Sequence, residues 1–133
     1  MSILLDAHIW LWWSTGAARL TAAYYQALDK LASRDALCIS AISLWEGQML
    51  VKKGRLVPNE PFDRWLRKIC APGLVQILPL DPEIVIALHG LPDGFHGDPA
   101  DRLIVATARA HGLPLATQDR NIRTSRLVKL WKP

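Results

Sequence analysis

Short runs of three or four apolar residues alternate along this chain with longer stretches in which apolar positions recur every three or four residues. Ser2 to Leu5 reads as a short buried strand that stops at Asp6. A short helix follows through Trp13 and breaks near Gly16. Thr21 is an N-cap for a second helix, with Ala22, Tyr25, Leu28 and Leu31 on one face and Lys30 and Arg34 outside. Leu37 to Ser40 is the second strand. Ser40 or Ser43 caps a helix running to about Lys53, closed by Gly54. Pro61 opens a helix over Phe62, Trp65, Leu66 and Ile69. Val75 to Leu78 is the third strand. The pairs Asp81-Pro82 and Asp98-Pro99 are cap and first-turn signatures for helices reaching about His89 and His111. A Gly/Pro/Asp loop, Leu91 to Gly97, lies between those helices, and Gly112 ends the second. Leu115 to Thr117 is the fourth strand. A basic segment, Asp119 to Arg126, leads to a last strand at Leu127 to Leu130.

Strands alternating with helices predict an α/β fold with a mainly parallel sheet. The length, 133 residues, suits one domain spanning residues 1–133. Half the chain is apolar and 21% is charged, which favours a packed core over disorder. No apolar run is long enough to cross a bilayer, and no signal peptide is evident, so a cytoplasmic protein is expected. Cys38 and Cys70 read as buried structural cysteines, and neither a disulfide framework nor paired zinc-ligand spacing is present. His8, His89, His96 and His111 read as structural or surface residues.

Charge changes the picture along the chain. Residues 1–50 carry three Lys/Arg against four acids; residues 51–133 carry thirteen against eight. A basic surface favours a polyanion partner, although a net charge of +4 is shared by many proteins without one. Arg120, Arg123, Arg126, Lys129 and Lys132 recur every third residue, either as a backbone-binding track or as a solvated face. Lys52, Lys53 and Arg55 suit a helix end. Arg102 directly follows Asp101, placed either to grip phosphate or to hold a carboxylate. Trp10, Trp12, Trp13 and Trp45 are dense for this length; most belong to the core, and at least one exposed ring would serve an interface.

The acids sit where ligands bind in an open parallel sheet, outside the carboxyl ends of the strands. Asp6 follows the first strand and Asp119 the fourth. Glu46 lies in the first turns of the helix after the second strand, and Asp98 and Asp101 open the helix before the fourth. Two carboxylates ~4 Å apart repel by roughly 4 kcal/mol at an effective dielectric of ~20, so convergence calls for a cation. Mg²⁺ or Mn²⁺ suits such oxygen ligands and would activate water and orient a phosphodiester. Each acid also has an ordinary use. Asp98 serves as an N-cap, Asp101 as a favourable charge at a helix start, Asp119 as a turn residue and Glu46 as a solvated helix residue.

These segments resemble the PIN-domain family, specifically VapC-type toxins of bacterial toxin–antitoxin pairs. The resemblance lies in Leu4-Leu5-Asp6-Ala7-His8-Ile9-Trp10-Leu11-Trp12, in Ser40-Ala41-Ile42-Ser43-Leu44-Trp45-Glu46, in His96 to Ala108 around Asp98-Pro99-Ala100-Asp101-Arg102, and in Leu115-Ala116-Thr117-Gln118-Asp119. The blocks occur in the family's order over nearly the whole chain. The resemblance implies a three-layer α/β/α sandwich and an endoribonuclease dependent on Mg²⁺, with Mn²⁺ able to substitute. It implies Asp6, Glu46, Asp101 and Asp119 as the catalytic acids, with Asp6, Asp101 and Asp119 on the metal. Asp98 and Thr117 would support that set; Arg102, Arg120 and Arg123, read from charge and position, are the candidates for RNA contact. The implied partners are RNA, a VapB-like antitoxin and a second copy of the chain. Ala7 stands where a hydroxyl residue is common in the family, and Ala100 where a large aromatic is common. Two rivals stand beside this reading. A phosphatase with an aspartyl nucleophile usually has a second Asp where this chain has His8, and a non-catalytic binding module would have no need of all four acids.

Overall fold

The computed structural model describes residues 1–95 and 97–133; the reading of His96 lies outside the described residues. Four strands form one parallel sheet in the order β3-β2-β1-β4: β1 (Ile3–Leu5), β2 (Leu37–Ser40), β3 (Gln76–Leu78) and β4 (Leu115–Ala116). Ile3 pairs with Leu37 and Leu5 with Ala116, so the ends of β1 and β4 are level at Asp6 and Thr117. Side chains alternate across a strand, and this splits the core in two. Ile3, Leu5, Leu37 and Ile39 face one cluster with Trp10, Leu28 and Trp65. Leu4, Cys38 and Leu115 face another with Ile84, Ile104 and Val105. Helices cover both faces, giving a three-layer α/β/α sandwich.

The helices are α1 (Ala7–Thr15), α2 (Ala22–Ala32), α3 (Ala41–Lys52), α4 (Phe62–Ile69), α5 (Pro82–His89), α6 (Pro99–His111) and α7 (Arg120–Ser125). Six start on a side-chain cap: Asp6, Thr21, Asp81, Asp98 and Asp119 each accept the amide N–H three residues on, and Ser40 accepts the one two residues on. Gly16 and Gly112 end α1 and α6 at φ 68° and 64°, a conformation that favours glycine. Ser40, not Ser43, caps α3, and Ser43 is fully buried.

Several expectations are corrected. The basic segment after Asp119 is a helix, because the Asp119 carboxylate caps it and Ile122 anchors it in the core. Beyond Arg126 the regular spacing of cations loses its meaning, since that residue leaves the helix at φ 60°. The last strand shrinks to a single parallel bridge between Leu130 and Leu115. On α2 it is Tyr24, not Tyr25, that turns inward with Leu28. Tyr25 instead sets its hydroxyl against the Trp12 and Ala17 carbonyl oxygens. Cys38 is buried as expected, whereas Cys70, at the end of α4, is only half-buried. Of the tryptophans, Trp10 is core, Trp12 and Trp13 are half-buried, and Trp45 is 51% exposed.

Candidate active site

Four elements bring the acids to the carboxyl edge of the sheet. Asp6 ends β1 and caps α1. Glu46 stands on α3, directly after β2. Asp98 caps α6, with Asp101 in its first turn, and Asp119 follows β4 and caps α7. Asp6 is buried, 5% exposed; Glu46 and Asp101 are half-buried; Asp98 and Asp119 are exposed.

Thr117 ties the centre together. Its hydroxyl donates to Asp6 Oδ2, while its oxygen accepts the Asp119 backbone N–H at 3.0 Å. The other Asp6 oxygen accepts the Ile9 N–H at 2.8 Å. One threonine therefore fixes two acids that are far apart in the chain. Asp98 Oδ1 accepts the Asp101 N–H at 2.8 Å, so Asp98 does the capping and leaves the Asp101 carboxylate free of it.

The acids act on one another. Burial pushes the Asp101 carboxyl up to about 7, with the charges of Asp98, Asp119 and Asp6 adding to the push. Burial likewise pushes Glu46 up to about 7, helped by Asp101, Asp98 and Asp6. Asp6 is raised chiefly by burial, against the hydrogen bonds from Ile9 and Thr117 that hold it down. These mutual effects join side chains from four separate elements in one electrostatic cluster.

A hard divalent cation fits this set in donor chemistry and charge. The donors are carboxylate oxygens, and Glu46 Oε1 is buried with no hydrogen-bonding partner among the described residues. The rotamers, however, bring no three His, Cys, Asp or Glu side chains among the described residues to one point. Asp6, Asp98 and Asp119 are each turned onto their own helix caps.

The basic residues divide. Arg102 donates from Nη1 to the Phe95 carbonyl oxygen at 2.6 Å and lies over the Phe95 ring. It pins the loop ahead of α6 instead of holding a carboxylate. Arg120 and Arg123 are exposed on α7, one turn apart. Sequence reasoning passes over Tyr24. Burial pushes its phenol up to about 12; the Asp6 carboxylate adds to this and Arg123 opposes it. Its ring packs edge-on against Trp131, with centroids 5.3 Å apart. A tyrosine at a core position of a helix carries no sequence signal of that surrounding.

Gly97 marks a close approach beside Asp101. A Cβ there would lie 2.8 Å from Phe95 Cζ and 3.3 Å from Asp101 Cβ. Gly97→Ala is expected to displace the Phe95 ring and to cost about 1–2 kcal/mol, read as a lower midpoint in thermal melting.

The comparisons agree with this architecture. The PIN-domain family matches residues 3–126. Ribonuclease VapC22 of Mycobacterium tuberculosis is 38% identical over 125 residues, which is 94% of this chain and 92% of that protein. VapBC2 from Rickettsia felis, solved bound to a DNA fragment from its promoter, gives a TM-score of 0.72 at 21% identity, covering 98% of each chain. FitAcB from Neisseria gonorrhoeae gives 0.71 at 22% identity, covering 98% of this chain and 96% of the other. These two structures speak for the fold, whereas the sequence matches reach further: the chain belongs to the PIN-domain family.

Proposed function

We propose that this chain is a metal-dependent endoribonuclease, the toxin of a toxin–antitoxin pair, which hydrolyses RNA phosphodiesters at the cluster of Asp6, Glu46, Asp101 and Asp119. The observation that carries the reading is geometric: four elements bring Asp6, Glu46, Asp101 and Asp119 to one edge of the sheet, and Thr117 hydrogen-bonds both Asp6 and Asp119. The identity to a named ribonuclease over most of both chains supports the substrate. PIN-domain nucleases in general depend on divalent metal; Mg²⁺ is our choice of ion, with Mn²⁺ able to replace it.

Asp6, Asp101 and Asp119 would hold the ion. When bound, it supplies an activated water and neutralises charge on the departing oxygen. Thr117 keeps Asp6 and Asp119 in register, and Asp98 holds the first turn of α6 in place beneath Asp101. Glu46 faces the other acids from α3 and would hold the attacking water. Arg120 and Arg123 offer exposed cations to the RNA backbone beside Asp119. Arg102 serves that end indirectly, through the loop it pins. The partners we assign are a VapB-like antitoxin, whose basic side chains would suit the acid cluster, and a second copy of this chain. No helix among the described residues is long and apolar enough to cross a membrane. A cytoplasmic site of action goes with an RNA substrate.

The aspartyl-phosphatase alternative is disfavoured by His8, which stands exposed where the second Asp would be needed. The deciding assay is cleavage of single-stranded RNA during a Mg²⁺ titration, then with excess EDTA. Cleavage that rises with Mg²⁺ and stops with EDTA is expected. Cleavage unaffected by EDTA, or none at any Mg²⁺ or Mn²⁺ concentration, would overturn the proposal.

A further inference from the structure

Serine and threonine hydroxyls on these helices donate to a carbonyl of the turn before, Ser125 to Ile122 three residues back, and Ser43 does not. Ser14, Thr15 and Thr107 each donate to the carbonyl four residues back, to Trp10, Leu11 and Leu103. Ser43 is the third residue of α3, so the residue four back is Ile39, inside β2. No helical carbonyl is available to it there. The Ser43 side chain is nevertheless 0% exposed, and its Oγ meets no hydrogen-bonding partner among the described residues. Buried hydroxyls are rarely left so.

The second unpartnered atom lies close by. Glu46 Oε1 is also buried without a partner among the described residues, and these two are the only such side-chain atoms among them. Ser43 and Glu46 are three apart on α3 and therefore neighbours on its surface, with Cβ atoms roughly 5–6 Å apart. The two atoms are not hydrogen-bonded to each other, and one bridging molecule with a donor and an acceptor would satisfy both. The charges of Asp101, Asp98 and Asp6 act on the Glu46 carboxyl.

We propose that Ser43 is a positioning residue that, with Glu46, holds one water molecule on the α3 side of the acid cluster; the use of that water against RNA rests on the ribonuclease reading above. The hydroxyl accepts from or donates to the water as its orientation requires, and Glu46 Oε1 accepts from it.

The test is a high-resolution crystal structure of the protein and of Ser43→Ala, with steady-state cleavage of RNA in Mg²⁺ by both. One water within hydrogen-bond distance of Ser43 Oγ and Glu46 Oε1 is expected, lost in Ser43→Ala. In that variant kcat should fall about tenfold with KM for RNA and the melting temperature unchanged. Ser43→Cys, nearly the same size but a weak donor, should fall between the two. A protein atom bonded directly to Ser43 Oγ in place of water, or wild-type turnover by Ser43→Ala, overturns the proposal. If the unaltered protein cleaves no RNA, the ribonuclease reading has failed, and the crystallographic comparison still decides whether the water is held.

Discussion

Asp6→Asn is expected to lower RNA cleavage by on the order of 10³-fold while the protein melts at the wild-type temperature or above it. The reason lies in what the amide keeps and what it loses. Asn Oδ1 accepts the Ile9 N–H as the carboxylate does, so the cap on α1 survives. The Asn amide can donate to Thr117 Oγ, which has a second lone pair beside the one taken by the Asp119 N–H. What disappears is a negative charge on a residue only 5% exposed, whose acidity burial has already weakened. Removing it relieves the metal-free fold and strips the proposed ion of a ligand. Thermal melting by circular dichroism, run beside cleavage rates in Mg²⁺, separates the two effects. Wild-type cleavage by a folded variant sinks the assignment; a variant that fails to fold would show instead that the carboxylate is structural.

Much of this edge is legible in the amino-acid sequence. The Asp-Pro pairs at 81–82 and 98–99, the Thr21 cap and the apolar strands take the form their residues predict, because caps and turn glycines are local chemistry. So does the placing of the acids at strand ends and helix starts. Three things are not legible, each for a physical reason. α7 has a single buried side chain, Ile122, so no apolar period announces it. Thr117 reaches Asp6 across 111 positions, a pairing created only by β1 lying beside β4. Ser43 sits in a sequence that serves equally well as a cap; both serines are fully buried, and only the Ile42 N–H accepted by Ser40 distinguishes them. Local chemistry locates the elements, while the partners of the site side chains depend on which strands lie side by side.

The same crowding of carboxylates makes the metal-free protein lose stability as pH rises from about 4 to 8. Asp101 and Glu46 titrate near 7 in the fold and near 4 in the unfolded chain. Between those values the folded state binds more protons than the unfolded one, so stability falls as pH rises through this window and the full penalty stands above about 7. The shifts, about three units for Asp101 and about two and a half for Glu46, correspond to about 4 and about 3 kcal/mol. Both side chains are partly open to solvent and share one interaction, which brings the combined loss to on the order of 3 kcal/mol. A divalent ion binds the ionised acids and reverses the trend: at pH 8, Mg²⁺ at 100 times its dissociation constant adds about 2.7 kcal/mol. Denaturant melts from pH 5.5 to 8, with EDTA or with Mg²⁺, test this. With EDTA the midpoint should fall toward pH 8, and Asp101→Asn should flatten the fall; with Mg²⁺ the two ends should draw level. Cleavage should rise through the same window and level off above about 7.5, as the last proton leaves the cluster. A midpoint that climbs with pH in EDTA would mean that the acids do not share one field, and the site built on their convergence would fall with it.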